Sequence, residues 1–225
     1  MTDAEIVEET ITFVKETLRG AEGGHDWFHI QRVFRTALFI AKDEKVDILV
    51  VSLAALLHDI ADAKFHNGNE ELGPRVSRSF LESLPVSKKT VSHVVKIIQN
   101  ISFKNSLGKR RGKTFNSLEL QVVQDADRLD AMGAIGIARA FNYGGFKNRA
   151  LYDPEIVPNP HLSKEAYKKA KAPTINHFYE KLLLLKDKMN TRTGKLMAGE
   201  RHQFMLEFLS QFYREWDPLS SKTGP

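Results

Sequence analysis

Along most of the chain the apolar positions recur every three to four residues, the period of a helix with one buried face. Ile6, Val7, Thr10, Ile11, Val14 and Leu18 predict an amphipathic helix from Asp3 to about Leu18, ended by Gly20, Gly23 and Gly24. Asp26 can cap a second helix to about Lys42, with Phe28, Val33, Ala37, Leu38 and Ile40 as its inward stripe. Asp47 caps a third segment, DILVVSLAALLHDIAD, that stops near Asp62. From Ile48 to Leu57 almost every residue is apolar, so a helix here has no water-facing side and lies inside the fold. Pro74, at a first helical turn, opens a helix ending near Leu84, and Ser87 begins another to about Asn100, with Val91, Val94, Val95 and Ile98 on one side.

The second half reads as three longer elements. A helical pattern runs from Ser117 to about Phe141, with the acidic run QDADRLD in its middle and Gly133, Gly136 and Ala140 after it, small residues that let neighbouring backbones approach. Asn142 to Pro160 is the longest irregular stretch, a candidate functional loop. Helices from Thr174 to about Met189 and from Thr193 to Trp216 close the chain, with Ile175, Phe178, Tyr179, Leu182 and Leu183 on one and Met197, Phe204, Met205, Phe208, Phe212 and Trp216 on the other. No repeat, heptad run or strand pattern stands out, and the expected class is all-α. At 225 residues one domain, spanning 1–225, is the expected organisation.

Composition narrows the chemistry. The absence of cysteine excludes disulfides and thiolate metal sites, leaves His and carboxylates as the strong metal ligands, and fits a reducing compartment. The N-terminus is acidic where a signal peptide is basic, and the apolar run before His58 is about ten residues against the ~20 a bilayer requires. A soluble, cytoplasmic protein without a membrane span is expected. The net charge of +5 is mild. It is concentrated in Lys104, Lys109, Arg110, Arg111 and Lys113 and in Lys164, Lys168, Lys169 and Lys171, clusters that suit a phosphate-bearing ligand, nucleic acid included, or simply a solvated surface.

An apolar helix that ends in His58 and Asp59 is unusual. Burying an imidazole beside a carboxylate costs several kcal/mol without compensation, and a divalent metal would compensate both, whereas simple capping and hydrogen bonding is the alternative. His29 on the second helix and Asp127 on the long one complete a candidate ligand set. Imidazoles mixed with carboxylates favour an octahedral ion, Mn²⁺, Mg²⁺, Fe²⁺, Co²⁺ or Ni²⁺, with Zn²⁺ also compatible.

The order His29, then His58 with Asp59, then Asp127 resembles the H…HD…D signature of the HD-domain metal-dependent phosphohydrolases. GGHDWFHIQRV, LLHDIADAKF, QDADRLDAMGAIGIARAFNYGGFK and HFYEKLLLLKDKMNTRTGK resemble, in the same order, blocks of the bacterial YpgQ- and YedJ-like small HD hydrolases. The likeness runs from about Ile6 to Trp216. It implies an HD-domain helical bundle, with metal-site helices over about 26–130 and C-terminal helices over about 174–216 packing on it. It also implies one divalent metal, Mn²⁺ foremost, on His29, His58, Asp59 and Asp127. His25 then becomes an outer-sphere group or a substrate contact. The implied activity is cleavage of nucleoside or deoxynucleoside triphosphates to monophosphate and pyrophosphate, by hydroxide formed on the metal. The partner is thus a small nucleotide; nucleic acid ranks below it, and the oligomeric state stays open, a homodimer included.

The remaining candidates are weighed on spacing. Asp62, four residues after His58, would share its helical face and could relay a proton, with Lys64 just beyond as its catalytic companion. Arg32 and Lys64 could hold phosphates or serve as ordinary ion-pair partners. Tyr143 could stack on a base while Lys147 and Arg149 reach phosphates, and Phe146 reads first as an aromatic plug. Asp130 reads first as the partner of a nearby cation. Two other functions stay open: a 5′-nucleotidase on the same site, and a metal-containing nucleotide sensor or nucleic-acid-binding module without turnover.

Overall fold

The computed structural model describes residues 1–21, 26–61, 69, 71–101, 115–160 and 172–219. Helices and turns make up these residues, and no strand occurs among them, as the all-α reading expects. No described helix is long and apolar enough to cross a membrane. Both basic clusters of the sequence lie outside the described residues. The chain divides into two compact units, Met1–Asp127 and Arg128–Pro225.

In the first unit, α1 (Asp3–Thr17) starts at a capping box. The Thr2 hydroxyl accepts from the Glu5 N–H, and the Thr2 N–H donates to the Glu5 carboxylate. Asp26 caps α2 (Trp27–Ala41), Asp47 caps α3 (Ile48–Leu57), and Ser87 caps α5 (Lys88–Asn100), each accepting from an N–H of the first turn. Between them lies α4 (Leu72–Glu82), with Pro74 in its first turn. α3 packs against α1, α2 and α5, and Val50 to Leu57 are all buried, so the uninterrupted apolar run has become the centre of this unit. At roughly 1.5–3 kcal/mol per buried aliphatic side chain, that run is a main source of its stability. α6 (Leu118–Asp130) joins this core through Glu119, whose carboxylate accepts from the Asp47 N–H at 3.2 Å and faces His93 Nε2 at 3.5 Å.

One residue of the expected α2 stripe faces the other way. Phe28 is 60% exposed, because the buried positions are His29, Ile30, Val33, Ala37, Ile40 and Ala41, and Phe28 lies nearly opposite them around the helix.

In the second unit the expected long helix is broken. α6 stops at Asp130, and α7 (Gly133–Phe146) begins after a two-residue turn in which Met132 is extended and Gly133 has φ +67°. That left-handed conformation suits glycine and ends the straight helical path. The irregular stretch accordingly begins at Lys147, five residues later than expected. The helix expected over Thr174–Met189 changes gauge twice. A short α8 (Thr174–His177) passes into a π turn at Phe178–Leu182 and a 3₁₀ turn at Leu183–Lys188. α9 (Arg192–Trp216), capped by Thr191, packs against α7 and the 3₁₀ turn. Its buried positions are Gly194, Ala198, Met205, Leu209 and Tyr213, which leaves Phe204, 49% exposed, off the stripe.

Candidate metal centre

Helix ends build the site. Asp26 caps α2 through the N–H of His29 itself, at 3.1 Å, which seats that residue in the first turn. Burial of Ile30 and Val33 then turns the His29 ring inward. α3 ends at Leu57, so His58 is its C-cap and Asp59 lies in the turn that follows. The two therefore lie at the helix end and in the following turn rather than side by side on a helical face. The His58 Nδ1 is 2.8 Å from the Ala55 carbonyl of the last turn of α3. A carbonyl only accepts, so Nδ1 carries the proton and Nε2 is directed to the cluster.

Ligand atoms of His29, His58 and Asp59 all lie within 4.8 Å of one another, and this trio can hold a metal ion. Asp127 on α6 brings its Oδ1 to 3.7 Å from the Nε2 atoms of both His29 and His58. Two donors each about 2.1 Å from one ion stand about 3.0 Å apart at right angles and about 4.2 Å apart when opposite, so 3.7 Å fits an ion between them. The His29 and His58 side chains are only 2% and 4% exposed, whereas Asp127 is 39% exposed, so solvent reaches the cluster past the carboxylate.

Electrostatics point the same way. His58 Nε2 is buried and has no hydrogen-bond partner among the described residues, an expensive state for an imidazole nitrogen. Burial opposes a charge on this ring, but the Asp127 and Asp59 carboxylates and the Ala55 carbonyl outweigh it and hold His58 up at about 9. The cluster thus stabilises positive charge at Nε2, and a divalent ion satisfies that demand more fully than a proton. This donor set fits a divalent cation on the chemistry of its atoms.

The profile of the HD domain family matches residues 27–132, the span that contains all four of these residues. The protein YpgQ of Bacillus subtilis is 38% identical over 227 residues, covering the whole of both chains. The chain belongs to the HD-domain family. Within it, the chain groups with the bacterial YpgQ-like proteins. An HD-superfamily hydrolase from Bacillus thuringiensis shares its fold with a TM-score of 0.75 and 44% identity, over 96% of this chain and 98% of that one. A Lactobacillus plantarum protein reaches a TM-score of 0.81 at 40% identity, with the same coverage. A crystal structure of B. subtilis YpgQ is a complex with ADP, and matches this HD protein with a TM-score of 0.75 at 35% identity, over 97% and 98% of the two chains.

Of the other site residues expected from sequence, His25, Asp62 and Lys64 lie outside the described residues. Arg32 is on α2, three residues after His29, and partly buried. In the second unit, Tyr143, Lys147 and Arg149 do come together. Lys147 Nζ lies 4.9 Å from the Phe146 ring centroid and 5.7 Å from that of Tyr143, and the Arg149 guanidinium lies 5.8 Å from the latter. Asp130 has its cation: Arg139 Nη1 is 2.8 Å from its Oδ2. Arg139 and Arg201, both bound to the end of α6, escape a reading of the sequence, because neither stands at helical spacing from a ligand.

Proposed function

We propose that this HD-domain protein is a divalent-metal-dependent phosphohydrolase of nucleotides. Its reaction is cleavage of nucleoside or deoxynucleoside triphosphates between the α and β phosphates. The observation that carries the reading is the convergence of two buried imidazoles and two carboxylates around His58 Nε2, a buried nitrogen with no hydrogen-bond partner among the described residues. The ADP complex of the related YpgQ supports a nucleotide as the ligand class.

His29, His58, Asp59 and Asp127 would hold the ion, with Mn²⁺ foremost. When bound, a divalent cation acidifies a water and offsets charge on phosphoryl oxygens. The chain's own groups supply the rest. The Ala55 carbonyl fixes the His58 ring in the orientation that offers Nε2. Asp62 takes the proton of the attacking water, and Arg32 and Lys64 bind phosphate oxygens. Water oxygen bonds to the α phosphorus while the bridging oxygen leaves with the β phosphorus, giving monophosphate and pyrophosphate. Tyr143 supplies a face for the base, and Lys147 and Arg149 supply cations for phosphates.

The test is incubation of metal-stripped protein with nucleoside mono-, di- and triphosphates, with and without Mn²⁺, resolving pyrophosphate from phosphate by ³¹P NMR. Metal-dependent pyrophosphate from triphosphates is the expected result. Phosphate from monophosphates would instead assign a 5′-nucleotidase. No turnover, with nucleotide binding retained, would assign a sensor.

A further inference from the structure

The last turn of α6 carries Asp127, and every helix end leaves carbonyls without partners in the helix. Here the last three of those carbonyls, of Arg128, Leu129 and Asp130, are taken up one by one. The Arg128 carbonyl accepts from the Ala131 N–H at 3.1 Å, and the Leu129 carbonyl from the Met132 N–H at 3.0 Å. The Leu129 carbonyl also accepts from Arg201 Nη1 of α9. The Asp130 carbonyl accepts from Arg139 Nη1 of α7 at 3.2 Å, and the same nitrogen donates to the buried Asp130 carboxylate at 2.8 Å. Two guanidinium groups from two different helices therefore close on consecutive carbonyls, with their charge at the negative end of the helix dipole.

The turn after α6 is shaped around this contact. A Cβ on Gly133 would stand 3.0 Å from Arg201 Cγ and 3.2 Å from its Cβ, so a side chain there would crowd the Arg201 stem. A Cβ on Gly136 would meet the Ala131 carbonyl oxygen at 2.3 Å, so α7 can start this close to the turn only with glycine at that position. Asp130 and Glu200 are the acidic neighbours of Arg201, and Arg201 is itself partly withdrawn from water. A guanidinium held in this way loses little further entropy in holding a carbonyl.

We infer that Arg201 and Arg139 are positioning residues for the metal centre. By fixing the carbonyls of Leu129 and Asp130, they set the register in which α6 presents Asp127 to His29 and His58. The inference rests on Asp127 serving as a metal ligand. A helix turns about 100° per residue, so fraying or re-registering the last turn moves the Asp127 carboxylate by more than the few tenths of an ångström that a metal site tolerates. Neither arginine is one of the four ligand residues, and each acts on Asp127 through the end of α6.

The experiment is Mn²⁺ binding to the metal-stripped full-length protein, followed by electron paramagnetic resonance, with far-UV circular dichroism as the check on folding. Arg201→Met keeps the stem and removes the donors. It is expected to weaken Mn²⁺ binding by about 10- to 100-fold with helicity retained, the size of effect seen when a group supporting a ligand is lost. Arg139→Met is expected to do the same. Arg201→Lys, which can still donate to one carbonyl, is expected to recover most of the affinity, whereas general loosening of the fold would not be rescued so selectively. Where Arg201→Met does not fold, Arg139→Met decides, because it removes the donor to the neighbouring carbonyl: weaker Mn²⁺ binding with helicity retained supports the inference and wild-type binding overturns it. Wild-type affinity in folded Arg201→Met and Arg139→Met, with Asp127→Ala binding none, overturns the positioning role and leaves the metal reading intact. No Mn²⁺ binding by the wild type, or full binding by Asp127→Ala, overturns both.

Discussion

His58 uses its two nitrogens differently, and the division follows from where α3 stops. Nδ1–H goes to the Ala55 carbonyl, so Nε2 is left to the cluster, with the Asp127 Oδ1 3.7 Å away, outside hydrogen-bond reach. Asp59 contributes from the turn rather than from the helix, and that separates its chemistry from the stability of α3. Asp59→Ala is therefore expected to abolish stoichiometric metal and to lower hydrolysis by roughly two orders of magnitude or more, while helicity survives. Metal analysis by mass spectrometry beside far-UV circular dichroism checks this, and persisting activity in a metal-free variant would refute the ligand role. His177 has a different logic. Burial and the nearby charges of Lys181 and Arg149 push it down to about 3, so it is neutral in the folded protein over most of the pH range. The unfolded chain takes up that proton near 6.5, so it binds more protons than the folded chain between about 3 and 6.5. The stability associated with neutral His177 is complete above about 6.5 and is lost as pH falls towards 3. Melting temperature measured against pH is expected to drop over this window, and the drop is expected to flatten in His177→Gln.

Among the elements, α3 shows how an apolar run becomes a site. Its residues from Val50 to Leu57 are buried against α1, α2 and α5, and this packing holds its C-terminal His58 in place. Leu53 is fully buried there, and Leu53→Ala is expected to cost about 2–5 kcal/mol, read as a fall in the denaturation midpoint at an unchanged m-value. A loss below about 1 kcal/mol would mean that α3 is not central to its unit. The caps on Asp26 and Asp47 were readable because a capping side chain bonds only to its own first turn. The break at Ala131 and Met132 was not readable. A glycine in a helical pattern is tolerated often enough that only the φ of Gly133 and the Arg201 stem beside it show that the helix ends. The outward side of α2 was misjudged at Phe28 for a related reason: periodicity shows that a stripe exists, and its exact bearing depends on the neighbours.

For the molecule as a whole, the mild positive charge bears on which partner it binds. Lys109, Arg110 and Arg111 stand in one run. Replacing all three with Ala is expected to leave nucleotide turnover within about twofold. If the chain instead binds RNA or DNA through this run, affinity falls and the slope of log K against log salt shrinks by about 2 to 3, as three phosphate contacts require. Filter binding at several salt concentrations distinguishes the two. The sequence by itself determined the helical class, the positions of most helices and the residue types of the candidate metal centre, because periodicity and capping are local and the HD blocks lie intact along the chain. Only the tertiary structure decided that His29, His58, Asp59 and Asp127 bring their donor atoms together, that α6 and α7 are separate helices, and that Arg139 and Arg201 meet the end of α6. Those facts depend on groups distant in sequence reaching the same few ångströms, and nothing in the spacing of residues along a chain encodes which distant carbonyl a guanidinium will find.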